Sequence, residues 1–343
     1  MIEISGKLMS GDTLIAVIKN SEIIDCNEAL LPLYLKRTRD IESWLASRAI
    51  DSHRTNSRLL KKVLRLRTSD DAETALAVNA ATITDRYWFK PEGAELCWKD
   101  VRFKENFFDK LALRGDPDSF SRKPSRTPEL TNTGSFEKCW KLRRGKWWIY
   151  KSANLKEQFS ELFVYELGEA LGMNMAYYEK GNKCVKSLDF TDTAKVIFEP
   201  ALSFMGDEED YLKVIEKLRE LCPRAIPDYI QMIFLDTITA NPDRHTGNFG
   251  LLRDVKTGKL LGLAPNFDNN MALIARGYPT GKSKNDFLIM LFRDMLAKCP
   301  EYKQYIPEVT EQTVKRIVKK LNMKVKSKAV IDFVMSRYDE IWQ

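Results

Sequence analysis

Asp243 and Asn248 stand five residues apart in Asn241-Pro-Asp-Arg-His-Thr-Gly-Asn248, and Asp268 follows twenty residues later. A carboxylate, a carboxamide and a second carboxylate at this spacing form a minimal kit for moving a phosphoryl group. Asp243 would orient or deprotonate an attacking hydroxyl. Asn248 and Asp268 would offer hard oxygens to the magnesium ions that bridge nucleotide phosphates. Asn-Pro-Asp alone is a common turn, so the weight rests on the combination.

Elements must bring these residues together. Ile230, Met232, Ile233, Phe234, Leu235 and Ile238 predict a buried helix over 227–239 that delivers the chain into the polar loop. A polar cluster at the end of a buried helix needs a reason, and catalysis is one. His245, as a candidate catalytic residue, either touches substrate or holds the loop by hydrogen bonds; Arg244 has the same two readings. Gly247 and Gly250 allow a tight turn into a strand, Phe249-Gly-Leu-Leu-Arg253. After the turn Val255-Lys-Thr-Gly258, Leu260–Ala264 supplies the return strand, so a hairpin would carry Asn248 and Asp268 to one end. Asp268 as a helix cap is the competing reading.

Upstream, Lys151 ends a strand containing Trp147, Trp148 and Tyr150, where an ammonium needs an anion. The helix expected over 154–171 follows at once and carries Glu157, Glu161, Glu166 and Glu169. A lysine on the phosphates steadied by a helix glutamate is the protein-kinase arrangement. Glu161 is the favoured partner and Glu157 the fallback. The loop Thr131-Asn-Thr-Gly134-Ser-Phe-Glu-Lys138 would cover the phosphates, with one glycine where such loops usually carry two or three.

The bulk composition frames this reading. With 44% hydrophobic and 30% charged residues the chain has the makeup of a soluble globular protein, and its 343 residues suffice for two or three domains or for one two-lobed enzyme. No apolar run reaches bilayer-spanning length and the N-terminus lacks a secretory pattern, which points to the cytoplasm. Six cysteines without CxxC spacing, beside two histidines, read as free thiols rather than a zinc site. A net charge of +7 permits an acidic or nucleic-acid partner without demanding one. The basic stretch 52–67 reads as an amphipathic helix, either solvated or in contact with such a partner, and 315–328 is similarly basic.

Residues 1–24 alternate as in a β-hairpin, and helical spacing follows. Strands are expected at 139–142, 147–151, 177–180, 183–188 and 195–198. Helices follow at 208–222, 227–239, 285–298, 311–321 and 328–341. The Pro- and Ser-containing stretch 121–128 is the best domain boundary. The expected layout is an α/β segment at 1–115, a β-rich nucleotide-binding lobe at 116–199 and a helical catalytic lobe at 200–343.

Asp243-Arg-His245-Thr-Gly-Asn248 with Asp268 resembles the catalytic and metal-binding segments of the HipA-like serine/threonine kinases. These bacterial enzymes are distantly similar in fold to the phosphoinositide kinases. The likeness extends to Gly134-Ser-Phe-Glu-Lys138, Trp148-Ile-Tyr-Lys151 and 161–172, and covers about 125–343. In length the chain is closer to short stand-alone members than to the HipA toxin. Phe136 occupies the glutamine place of the family's Gly-x-Gln-x-Lys loop.

The resemblance implies an α+β, two-lobed protein-kinase-like fold and an ATP- and Mg2+-dependent kinase acting on protein serine or threonine. It assigns Gly134, Ser135, Lys138, Lys151, Glu161 and Asn248 to the nucleotide site. Phe198 and Glu199, in Ile197-Phe-Glu-Pro-Ala-Leu202, become the hinge toward adenine. It implies autophosphorylation at Ser135, Thr133 or Thr131, and a small DNA-binding, antitoxin-like partner. A lipid or small-molecule acceptor, and a regulatory nucleotide-binding module with DNA contact, are the alternatives.

Overall fold

A computed structural model describes residues 3–67, 70–123, 125–279 and 286–343. Pro124 of the expected boundary and Asn285 at an expected helix start lie outside the described residues. The chain forms two compact units. One comprises Met1–Ser152, Lys186–Phe204 and Leu252–Leu261; the other comprises Ala153–Val185, Met205–Leu251 and Gly262–Gln343.

In the first unit the alternating N-terminal residues form a meander rather than a single hairpin: β1 (Gly6–Ser10), β2 (Thr13–Lys19) and β3 (Glu22–Cys26). Asn20 and Ser21 both adopt positive φ, the turn type whose twist matches two antiparallel strands. β4 (Tyr87–Pro91) joins the far side of β1, with Leu8 opposite Phe89, so the sheet order is β3-β2-β1-β4. Leu8, Ile15, Ile18 and Phe89 share one core with Leu31, Leu35, Trp44, Leu45 and Ile197.

β5 (Lys138–Arg143) and β6 (Lys146–Ser152) pair through a two-residue turn in which Arg144 and Gly145 both take positive φ. β7 (Tyr178–Lys180) and β8 (Cys184–Leu188) extend that sheet in the order β5-β6-β8-β7. β9 (Val196–Pro200), β10 (Gly250–Asp254) and β11 (Leu260–Leu263) form a third sheet in the order β11-β10-β9, with the β10–β11 pair where the Gly258 turn predicts it.

The basic stretch 52–67 departs from expectation. It is helical only over Ser57–Val63, and Arg54 lies on no solvated face. Its side chain is 0% exposed and paired with Glu129, so it cannot belong to an outward-facing basic footprint. Arg58, Lys62, Arg65 and Arg67 are the exposed basic residues there.

The second unit is mainly helical. Leu155–Ala170 starts in a capping box, with Asn154 accepting from the Lys156 and Glu157 N–H groups and the Glu157 carboxylate accepting from Asn154 N–H. It stops at Gly172, whose φ is +73°. Glu157 is therefore occupied in ending the helix, not in reaching out from it.

Ile226–Thr239 begins with Pro227 in its first turn, where the missing N–H costs nothing, and ends at left-handed Ala240. Ile230, Ile233, Phe234 and Leu235 are fully buried around it, and truncating any one to alanine would cost about 2–5 kcal/mol. Tyr211–Leu221, Phe287–Lys298, Glu311–Leu321 and Ser327–Ile341 complete the long helices. Among the described residues, no helix is long and apolar enough to cross a membrane.

Candidate active site

In the second unit, the loop leaving the buried helix is organised by Arg244. Its Nε and Nη2 donate to Asp236 at 2.7 and 2.9 Å. Nη1 donates to the carbonyls of Asn248 and Phe267 at 3.0 and 2.9 Å. Nη2 also reaches Asn266 Oδ1 at 3.0 Å and Asn269 Oδ1 at 2.7 Å. One planar guanidinium thus ties the helix end, the loop 241–248 and the segment 266–269 together, a task that a lysine's single point charge cannot reproduce. Arg244 is holding the loop.

Asn248 is buried and folds the same loop. Its Nδ2 donates to the Asp243 carbonyl, and its Oδ1 accepts from His245 N–H at 3.1 Å. His245 is exposed, and its Nδ1 accepts from Gly247 N–H at 3.0 Å. Asp243 is half-buried. Burial, and then the negative charge of Asp268, push its carboxyl pKa up; His245, Arg276 and Arg244 pull the other way.

Asp268 adopts φ +62°, a left-handed conformation that costs a non-glycine residue on the order of 1 kcal/mol. Neighbouring groups hold it there. Its own N–H donates to the Tyr178 hydroxyl at 3.1 Å, and the next N–H, of Asn269, donates to Glu161 Oε1 at 2.7 Å. Glu161 is fully buried, so the carboxylate expected to steady the lysine also fixes the metal-loop backbone.

An aspartate carboxylate and an amide oxygen are the hard donors that magnesium takes, and here Asn248 Oδ1 accepts from His245 N–H at 3.1 Å and from Arg244 Nη1 at 3.5 Å. Among the described residues, no cluster of three histidine, cysteine or acidic side chains makes an all-protein metal cage. Magnesium typically takes one or two protein oxygens and completes its shell with phosphates and water.

In the first unit, Gly134 has φ +95°, a conformation that favours glycine, and a Cβ there would displace the Lys138 ammonium from its place against the loop. Lys138 and Lys151 face each other across β5 and β6, and both are buried.

Thr133 and Ser135 are exposed, whereas Thr131 is buried with its hydroxyl donating to the Ala81 carbonyl at 2.6 Å. Phe198 packs edge-on against Phe190 and donates its N–H to Thr84. The Glu199 side chain is buried and accepts from Arg253 at 2.8 Å, the Tyr87 hydroxyl at 3.1 Å and Leu33 N–H at 3.3 Å. Burial raises its pKa and Arg253 opposes the rise. Arg253 also grips the Leu31 and Ala29 carbonyls.

Several residues of these networks escaped sequence reasoning. Asp236 had a usable signal, a lone acid in an otherwise apolar helix. Asn266 and Asn269 flank Asp268 in a run of carboxamides that could have been read as its scaffold. Tyr178 and Arg253 carried no local signal.

The fold is α+β and of the HipA kind. The structure is similar to the Shewanella oneidensis MR-1 HipA, solved as a toxin–antitoxin complex with HipB and its operator DNA, with a TM-score of 0.59, 13% identity and 98% of each chain covered. A likeness to the Helicobacter pylori proinflammatory kinase CtkA has a TM-score of 0.44 and 20% identity, over 60% of this chain and 89% of that one. No protein-family model and no curated protein matches the chain.

Proposed function

We propose that the chain is an ATP- and Mg2+-dependent phosphotransferase that phosphorylates serine or threonine hydroxyls of proteins. The observation that carries this is the Arg244 node, which joins the Asp243 loop and the Asp268 segment in one buried network within a HipA-like fold. Catalysis on such a scaffold is positioning and charge neutralisation.

Asp243 accepts the proton of the attacking hydroxyl. Its raised pKa brings it nearer the working pH of a general base. Lys138 and Lys151, with the backbone around Gly134, take the phosphate oxygens. Phe198 and Glu199 would offer adenine backbone groups other than Phe198 N–H, which donates to Thr84. Asn248 and Asp268 would hold magnesium, which would neutralise charge developing on the phosphates. Tyr178 and Glu161 keep Asp268 aimed by fixing its backbone.

Ser135 and Thr133, both exposed, are the loop hydroxyls open to autophosphorylation. The complex of HipA with HipB and operator DNA supports a small DNA-binding protein as a partner of this chain too. Six free thiols suit a cytoplasmic setting.

Asp243→Asn tests the assignment. It is expected to keep ATP affinity and to lose roughly 100- to 10,000-fold in phosphate transfer from labelled ATP to itself or to a protein acceptor. Full transfer in that variant would remove Asp243 from the role. Transfer only to lipid or small-molecule hydroxyls would replace the protein acceptor.

A further inference from the structure

Arg54 lies in the N-terminal segment, 1% exposed, and nearly every polar contact it makes converges on the phosphate loop. Nη1 donates to the Asn132 carbonyl at 3.1 Å. Nη2 donates to the Lys138 carbonyl and to Glu129 Oε2, the latter at 3.4 Å. Nε lies 3.9 Å from Glu137 Oε2.

Asn132 and Lys138 are the two ends of the loop whose exposed crown is Thr133-Gly134-Ser135. Two residues beyond Arg54, Asn56 N–H donates to Glu137 Oε1 at 3.1 Å, and its side-chain amide donates to Glu137 and to the Ala112 carbonyl. Behind them Glu129, fully buried, accepts from Asn106 and Trp140 N–H, each at 2.7 Å, and from Asn132 at 2.9 Å.

From this we infer that Arg54 and Asn56 are positioning residues for the phosphate loop, and that the N-terminal segment is part of the framework of the nucleotide site. The inference rests on the kinase reading for what the loop binds, but not for the anchor itself. A guanidinium is rigid and planar, so gripping one carbonyl at each end sets the span of the loop between them. The grip also turns those two carbonyl oxygens toward Arg54, which keeps their negative ends away from an anionic ligand at the crown. Asn56 holds the descending limb through Glu137, so the loop is fixed on both sides by residues some 80 positions earlier. Neither residue touches phosphate.

The test uses the full chain with Asn56→Ala and Arg54→Lys, and two readouts. The first is amide hydrogen exchange at 133–137 in the ligand-free protein. The second is affinity for Mg-ATP compared with adenosine, which lacks phosphates.

Both variants are expected to exchange faster at 133–137, to bind ATP about tenfold more weakly and to bind adenosine unchanged. A merely structural lesion would lower both affinities together. If Arg54→Lys does not fold, Asn56→Ala carries the test, because it removes no buried charge. Unchanged exchange at 133–137 overturns the anchor. Equal losses of ATP and adenosine overturn its link to the phosphates. A wild-type chain that binds neither ligand sinks the kinase reading, while faster loop exchange in the variants still supports the anchor.

Discussion

Arg244 finds its partners between residues 236 and 269, whereas Arg54 reaches across to 129, 132, 137 and 138. Both guanidiniums are buried, both are neutralised by buried carboxylates, and both grip two backbone carbonyls: Arg244 one in each of two segments, Arg54 one at each end of a single loop. They differ in how they are assembled. Arg244 and Asp236 flank the end of one helix, so folding that helix almost delivers the pair. Arg54 meets Glu129 only after a long loop has closed, at an entropic cost that grows slowly with length. The local node is built into the catalytic loop; the distant node makes the phosphate loop answerable to the N-terminal segment.

Removing each arginine separates the two cases. Arg244→Ala should have the largest effect, because the buried Asp236 then loses its guanidinium partner: about 3–5 kcal/mol lost in urea denaturation, with phosphoryl transfer abolished. Adding Asp236→Asn should recover a good part of the stability; no recovery would break the account of Arg244 as a charge partner.

Arg54→Ala should cost less, about 3 kcal/mol, because Glu129 can neutralise itself by binding a proton. Burial already raises the Glu129 pKa in the folded protein. The native state then binds more protons than the unfolded chain, so stability falls as pH rises and the deficit of the variant should shrink in acid. A deficit that grows in acid would contradict the role of Glu129.

The two smaller effects probe the catalytic loop alone. Tyr178→Phe removes the acceptor of Asp268 N–H and should cost about 1 kcal/mol, with turnover lowered several-fold and ATP affinity retained. His245→Ala is the mildest. His245 lowers the Asp243 pKa, so its removal should shift the acid limb of the pH–rate profile upward by a fraction of a unit. A downward shift would show that His245 acts on the substrate instead.

Much of this was legible in one dimension. The long helices lie within a few residues of their predicted spans, because apolar periodicity and caps such as Asn154 and Gly172 are local signals. The β10–β11 hairpin was legible from the turn ending in Gly258. Arg54 was misread because a basic residue beside leucines has the same pattern whether its face meets water or a buried acid. Thr131, Thr133 and Ser135 were indistinguishable as hydroxyls until burial separated the first from the other two.

The sequence by itself determined the chemistry on offer: Asp243, Asn248 and Asp268 at a spacing that a hairpin closes, and Lys151 at the end of a strand. Those follow from backbone periodicity, which each segment carries alone. Tertiary structure decided which side chains hold that chemistry in place. Arg54 with Glu129, Arg253 with Glu199 and Tyr178 with Asp268 are pairs 54 to 90 residues apart, set by core packing that no local window records. A buried charge or a left-handed aspartate is affordable only where distant groups already stand ready to receive it.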